Sequence, residues 1–311
     1  MKQKIVLVGT GFVGMSYVYS LINQGIGEEI VLIDVNKAKA EGEAMDLNHG
    51  LSFSPKRMHV RAGDYADCRD ATLVVIAAGV NQKPGETRLM LLQKNASIIR
   101  SIVQSVMGSG FQGIFLLATN PVDILTHIAW QTSGLPSSRV IGSGTSLDTA
   151  RLRYEISQKI DINVSNVHAY ILGEHGDSEF VCWSNAFVGV KPLTDVIKTY
   201  GKITHEDLET IHHNVKTAAY EIIQRKQASY YGIGMVLAYI TKAILLDENR
   251  IIPLSVLHEG LYPIDPVYIG LPAVINRQGI HHVVQLTLNE QELTALQASA
   301  NILKQSLDQL T

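Results

Sequence analysis

The chain has 311 residues, room for two domains of ordinary size, and its 46% hydrophobic and 18% charged residues suit a globular protein with a substantial core. A net charge of −3 with no Lys/Arg cluster argues against nucleic acid as a partner, and no apolar run approaches the roughly 20 residues that cross a bilayer, so no membrane is expected either. Cys68 and Cys182 are far apart with no Cys-x-x-Cys spacing, so neither a disulfide framework nor a metal site is expected; with the first strand too early for a signal peptide, a cytoplasmic location is expected.

Lys4-Ile5-Val6-Leu7-Val8 reads as a buried strand, and Gly9-Thr10-Gly11-Phe12-Val13-Gly14 follows it at once. Gly9 permits the tight turn, Gly11 lets a pyrophosphate approach the backbone, and Gly14 lets the next helix pack on the strand. That helix carries Val18, Leu21 and Ile22 on one face, and its N-terminus offers N–H groups and partial positive charge to phosphates. The strand Ile30-Val31-Leu32-Ile33 then ends at Asp34, 20 residues beyond Gly14, where a ribose-binding acid belongs. A carboxylate there accepts from both ribose hydroxyls and repels a 2′-phosphate, which predicts NAD rather than NADP. The spacing alone is also compatible with an ordinary βαβ unit carrying a chance acid.

A polar helix is predicted over 36–47, a short strand at His59-Val60-Arg61, and a loop at Tyr65. A strongly apolar strand over 73–78 ends at Gly79, and Asn81-Gln82-Lys83-Pro84-Gly85-Glu86 has loop chemistry. A long helix over 88–107 leads to a strand over 114–118, which ends at Thr119-Asn120-Pro121. The alternation argues an α/β fold, a doubly wound parallel sheet whose ligand crevice lies at the strand carboxyl ends. Gly9, Asp34, Gly79 and Asn120 all sit at such ends. Val140-Ile141-Gly142 closes the pattern, which predicts a nucleotide-binding domain over 1–142 and a substrate domain over 143–311.

The second half reads as α+β. Helices are predicted from Leu147, over 206–225 and over 235–246, with strands over 167–172, 251–257 and 283–288. Asn289 with Glu292 three residues on caps a final helix from Glu290. Gly173-Glu174-His175-Gly176-Asp177 exposes an imidazole on shaped backbone, and an imidazole can give and take a proton near neutral pH, as ketone reduction requires. A lone His is more often structural, so the case rests on companions. Asp148 and Arg151, at i, i+3 on one helix, suit the orientation of His175 and the gripping of a substrate carboxylate, though by spacing alone they are equally a helix-start acid with a surface ion pair.

The glycine loop with Asp34, the run from Asn81 to Leu89, Ala118-Thr119-Asn120-Pro121-Val122-Asp123, Leu147-Asp148-Thr149-Ala150-Arg151 and the His175 motif occur in that order. Together they resemble the L-lactate dehydrogenases of the lactate/malate dehydrogenase superfamily, in the bacterial type activated by fructose 1,6-bisphosphate. The resemblance runs from the first strand to the last helix. It implies a Rossmann sheet with an α+β substrate domain, reversible hydride transfer between NADH and pyruvate giving L-lactate, and a homotetramer. It implies that His175 is the acid/base, Asp148 its orienting partner, Arg151 the carboxylate grip and Arg88 the loop residue that polarises the carbonyl. Asn120 would bond near the reacting oxygen, before a cis peptide to Pro121, with Val122, Asp123, Thr149 and Ala150 also at substrate positions. Val13, Lys39, Tyr65, Gly79, Val80 and Ser101 match cofactor positions, as do Ala118, Thr119, Asn120 and Ser143.

Gln82 bears on the substrate. Malate dehydrogenases resemble this pattern but carry Arg there, to pair with the second carboxylate of oxaloacetate; closing a neutral Gln82 over that charge would bury it unpaired. Ser229 stands where many relatives have Thr, which implies a slightly roomier pocket. Arg153 and His168 stand where the activated bacterial enzymes bind the bisphosphate, and a guanidinium with an imidazolium suits phosphate. Competing expectations are a malate or 2-hydroxyisocaproate dehydrogenase, a non-catalytic NAD-binding protein, and an NAD-dependent glycosidase on a related fold.

Overall fold

A computed structural model describes residues 3–80 and 87–310. The first half alternates strand and helix: β1 (Lys4–Val8), α1 (Phe12–Gln24), β2 (Glu29–Ile33), α2 (Lys37–Gly50), β3 (His59–Ala62), β4 (Leu73–Ile76), α3 (Arg88–Gly108), β5 (Ile114–Leu117), α4 (Val122–Ser133) and β6 (Val140–Gly142). The second half holds α5 (Ser146–Ile160), the short strands β7 (Val167–His168), β8 (Ile171–Leu172), β9 (Phe180–Val181), β10 (Phe187–Val188) and β11 (Lys191–Pro192), then α6 (Leu193–Tyr200), α7 (His205–Lys226), α8 (Tyr231–Leu245), β12 (Arg250–Leu257), β13 (Tyr268–Asn276), β14 (Gly279–Val283) and α9 (Glu290–Asp308).

The strands of the first half are parallel in the order β3-β2-β1-β4-β5-β6, a doubly wound arrangement whose chain reverses between β1 and β4. β1, β2, β4 and β5 are buried along their whole length, which is why they read as unbroken apolar runs rather than alternating ones. β12, β13 and β14 do not make a sheet of their own. They continue the same sheet antiparallel beyond β6, joined to it at Ser255 opposite Gly142. Glycine makes that join possible: a Cβ on Gly142 would sit 2.7 Å from Cβ of Ser255, and Gly144, with φ +52°, leaves room for the Ser255 backbone 2.3 Å from where its Cβ would be.

Two strand expectations differ from the structure, and one strand lies outside them. The predicted strand over 167–172 breaks in two, because β7 pairs with β10 whereas β8 pairs with β9. The one over 283–288 is β14 shifted earlier; beyond it Leu286 bonds the Tyr262 hydroxyl through both its N–H and its carbonyl, in place of a strand partner. β13 is not among the strands bounded from the sequence; Gly270 and Pro272 lie within it, and Pro272 faces Pro253 across the ladder. The capping of α9 is as expected, with Asn289 accepting from Glu292 N and Glu292 reaching back to Asn289 N.

The halves also meet through α1 and α8. Gly234 admits α1 so closely that a Cβ would lie 2.8 Å from the Ser16 backbone, and the buried Tyr17 hydroxyl bonds the Thr241 hydroxyl at 2.8 Å. One apolar core consequently runs from Ile5 to Leu303, with a second packed between α5, α6 and α7. Both cysteines are free and buried. Replacing Tyr17 by Phe orphans the Thr241 hydroxyl, so urea unfolding should report a loss of about 1–2 kcal/mol, and adding Thr241→Val should recover most of it.

Candidate active site

The carboxyl edge of the parallel strands carries the glycine loop. Gly9 has φ +103°, and a Cβ there would collide with the Ala77–Ala78 backbone at 2.8 Å. A Cβ on Gly14 would sit 2.1 Å from the Gly9 carbonyl oxygen, so α1 can close on β1 only with glycine there. A Cβ on Gly11 would meet nothing within 4 Å, and Gly11 caps α1 without a side-chain hydrogen bond. The space beside Gly11 is thus open at the N-terminus of α1, the end of a helix whose first-turn amides suit an anion.

Asp34 is tied into this loop. Its Oδ2 accepts from the Thr10 amide and hydroxyl, both at 2.8 Å, and its Oδ1 from Asn36 N at 2.9 Å. Burial alone would raise this carboxyl, but the bonds from Asn36 and Thr10, with the Lys39 charge, hold it below the ordinary carboxylate range. Of about four lone-pair sites on the Asp34 carboxylate, three are taken by these bonds and one on Oδ1 stays open. Beside it, Gly79 lies so near Thr119 that a Cβ would meet Cγ2 at 2.5 Å, and the Thr119 hydroxyl donates to Ala78 O.

Asn95 was not singled out from the sequence. It is 2% exposed on α3; its Oδ1 accepts from Val80 N and its Nδ2 donates to the carbonyls of Val80 and Asn120, joining the two loops that follow β4 and β5. The available signal was a polar residue on the Leu92, Ala96, Ile99 face of α3. The Asn120–Pro121 peptide is cis.

The proton-bearing cluster is anchored at the same edge. Asp123, in the first turn of α4 and 2% exposed, accepts from His175 N at 2.8 Å and from the Ser255 hydroxyl at 2.5 Å. Burial pushes its carboxyl up to about 6 against those bonds. Asp123 therefore supports the His175 backbone from beneath. Above it, Asp148 of α5 is 3% exposed at its side chain and bonds two cationic groups: His175 Nδ1 at 2.5 Å and Arg151 Nη1 at 2.9 Å. Burial acts to raise the Asp148 carboxyl, and the charges of His175 and Arg151 with the His175 hydrogen bond lower it below the usual value. For His175 burial pulls down, but the Asp148 charge and hydrogen bond, with Asp123 and Glu179 behind, raise it to about 9.

The other expected residues fall in several places. Thr149 is buried and bonds Ile171 N, Val122 is buried, and Ser143 is buried with its amide on Leu117 O. Ala150 and Ser101 are exposed, as is Lys39, while Val13, Tyr65, Ala118, Arg151 and Ser229 are half-buried. Gln82 lies outside the described residues. Arg88 opens α3 behind the Thr87 cap, and its side chain is not among those described. Arg153 donates to the carbonyl of Ala169, the neighbour of the exposed His168, and lies over the Tyr170 ring. Glu179, missed in the sequence, stands against Asp148 and His175.

Residues 3–142 match the lactate/malate dehydrogenase NAD binding domain and residues 145–311 the lactate/malate dehydrogenase alpha/beta C-terminal domain. The chain is 57% identical over 304 residues to the L-lactate dehydrogenase of Geobacillus stearothermophilus, covering 98% of this chain and 96% of that one. It shares 64% identity and a TM-score of 0.98 with a solved lactate dehydrogenase from a Medee basin deep-sea metagenome library, over 99% of each chain. With the minor L-lactate dehydrogenase of Enterococcus mundtii in its ligands-bound form the TM-score is 0.97 at 49% identity, over 100% of this chain and 99% of that one. A Rossmann sheet with this crevice and matches of this extent define an NAD-dependent oxidoreductase. More specifically, the chain belongs to the lactate/malate dehydrogenase family.

The raised His175 makes stability depend on pH. Its protonated form gains a partner on folding, so the stabilisation is whole below about pH 6.5 and is lost as pH rises towards about 9. The difference in unfolding free energy between the native chain and His175→Gln should shrink by about 2–3 kcal/mol between pH 6 and 9.5, measured in urea.

Proposed function

We propose that this chain is an L-lactate dehydrogenase that reduces pyruvate with NADH and runs in reverse on L-lactate, with His175 as the proton carrier. The observation that supports it best is the Asp148 carboxylate holding an imidazole and a guanidinium side by side, next to the glycine crevice. When bound, NADH supplies the hydride that goes to C2 of the keto acid. With Nδ1 committed to Asp148, Nε2 is the nitrogen of His175 that can donate to the carbonyl oxygen. Raised to about 9, the ring carries its proton at neutral pH, the form that pyruvate reduction needs. Lactate oxidation needs the neutral ring and therefore gains with pH. Arg151 spends Nη1 on Asp148 and keeps its remaining donors for the substrate carboxylate.

Arg88 polarises the carbonyl, Asn120 bonds near it, and Ser229 lies at the methyl side with the residues after the cis peptide. Gln82 leaves a second carboxylate without a partner. The residues named for the cofactor serve the crevice between Gly11 and Gly79, with residues 1–142 as the NAD-binding unit and 143–311 as the substrate unit. Fructose 1,6-bisphosphate binds at Arg153 and His168. The chain assembles as a homotetramer, and one of the contacts this needs is supported by the groove of about 570 Å³ between α1 and α8, lined by Phe12, Met15, Tyr19, Tyr231 and Met235, an apolar face that a second copy would cover. Among the described residues no helix is long and apolar enough to cross a membrane. The enzyme acts in the cytoplasm, in fermentative glycolysis.

NADH oxidation should be measured with pyruvate, oxaloacetate and 2-oxoisocaproate. Pyruvate should exceed oxaloacetate in kcat/KM by at least about 100-fold, the worth of several kcal/mol of unpaired buried charge. His175→Ala should lower kcat by about 10²–10⁴-fold. Faster turnover of oxaloacetate than of pyruvate would overturn the assignment.

Effector action is tested separately. Fructose 1,6-bisphosphate should lower the KM for pyruvate, and Arg153→Gln should abolish that response. Superimposable saturation curves with and without the bisphosphate, in the unaltered chain, would remove Arg153 and His168 from the site.

A further inference from the structure

Glu179 has no part in the reaction as derived, yet it stands among the groups that carry it. It lies in the loop before β9, 6% exposed, and its Oε1 is buried with no hydrogen-bond partner among the described residues. One oxygen of Glu179, one of Asp148 and a ring nitrogen of His175 all lie within 4.8 Å of one another. An orphaned carboxyl oxygen in such a place carries a desolvation cost that no hydrogen bond to it offsets among the described residues. Two carboxylates this close cannot both ionise cheaply. Asp148 has two cations against it and keeps the charge, so Glu179 takes the proton.

We propose that Glu179 is a positioning residue that holds the proton on His175: when its carboxyl ionises beside the imidazolium, the negative charge it gains opposes loss of the ring proton. The proposal deepens the reading of His175 as the proton carrier and rests on it. The groups that face the pair are Asp148 and Arg151 from α5, Asp123 from α4, and Lys216 and His212 from α7, the last hydrogen-bonded to the Glu179 backbone. Burial and the Asp148 charge push Glu179 up to about 8, against the pull of His175, Arg151 and Lys216. In return Glu179 is one of the carboxylates that raise His175. Asp148 is ionised throughout this range, and Glu179 and His175 lose their protons in overlapping steps in which the charge on Glu179 opposes deprotonation of the ring. Pyruvate reduction extends further into the alkaline range than Asp148 and Asp123 alone would allow, and the onset of lactate oxidation moves up by the same amount.

Glu179→Gln removes the ionisable group and keeps its shape. In that variant the alkaline limb of kcat/KM for pyruvate and the acid limb for lactate should both move down by about one pH unit, the effect of one carboxylate at this range. The imidazole NMR titration of His175 in the cofactor-free chain should move down equally. Glu179→Met, which also lacks charge, should give the same shift and serves if the buried amide prevents folding. A His175 midpoint within about 0.2 units of the unaltered chain in a folded variant overturns the proposal. A His175 titration that moves while neither limb does leaves the electrostatic link standing and overturns instead the reading of His175 as the proton carrier.

Discussion

The active centre depends on one buried carboxylate. Asp148 could not stay ionised at 3% exposure without compensation, because desolvation alone would neutralise it. Its two oxygens are each matched to a cation, and that matching fixes the geometry of both. His175 is oriented through Nδ1 and Arg151 through Nη1, so the imidazole and the guanidinium are set by the same carboxylate. Removing one partner would leave the other against an uncompensated charge, and for that reason the three residues behave as a unit rather than as independent contributors.

A second layer explains why this unit lies where a dinucleotide can meet it. Asp123 in the first turn of α4 holds the His175 backbone, and Ser255 of β12 holds Asp123. Because Ser255 also faces Gly142 at the join of the parallel and antiparallel strands, the His175 loop, the start of α4 and the sheet extension converge at one point. Asn95 does the corresponding work for the loops after β4 and β5. Among the described residues, the backbone after β4, after β5 and at His175 is therefore held by buried polar side chains.

The parts of this arrangement legible in the sequence were those with local signatures. The glycine loop, Asp34 and the parallel strands follow from short-range spacing and from unbroken apolar runs, and the capped start of α9 from a three-residue pattern. Asp148 with Arg151 was legible as a pair, but its closeness to His175 spans 27 residues of chain and came from family resemblance alone. The continuation of the sheet through β12–β14 has no local signature, because its pairing with β6 and the tolerance of Gly270 and Pro272 depend on partners far away in sequence. Asn95, Glu179 and the buried role of Asp123 were missed for a common reason: each acts through tertiary contacts that leave no periodicity.

The bonds between Thr10 and Asp34 carry a consequence for changing coenzyme preference. The acid that would repel a 2′-phosphate is also the hydrogen-bond acceptor that anchors the buried Thr10 amide and hydroxyl in the phosphate turn. Exchanging Asp34 for a small neutral residue would admit the phosphorylated coenzyme and at the same time unfasten the turn that must cradle its pyrophosphate. A redesign of this pocket has to supply Thr10 with a new acceptor before selectivity and affinity can be adjusted separately.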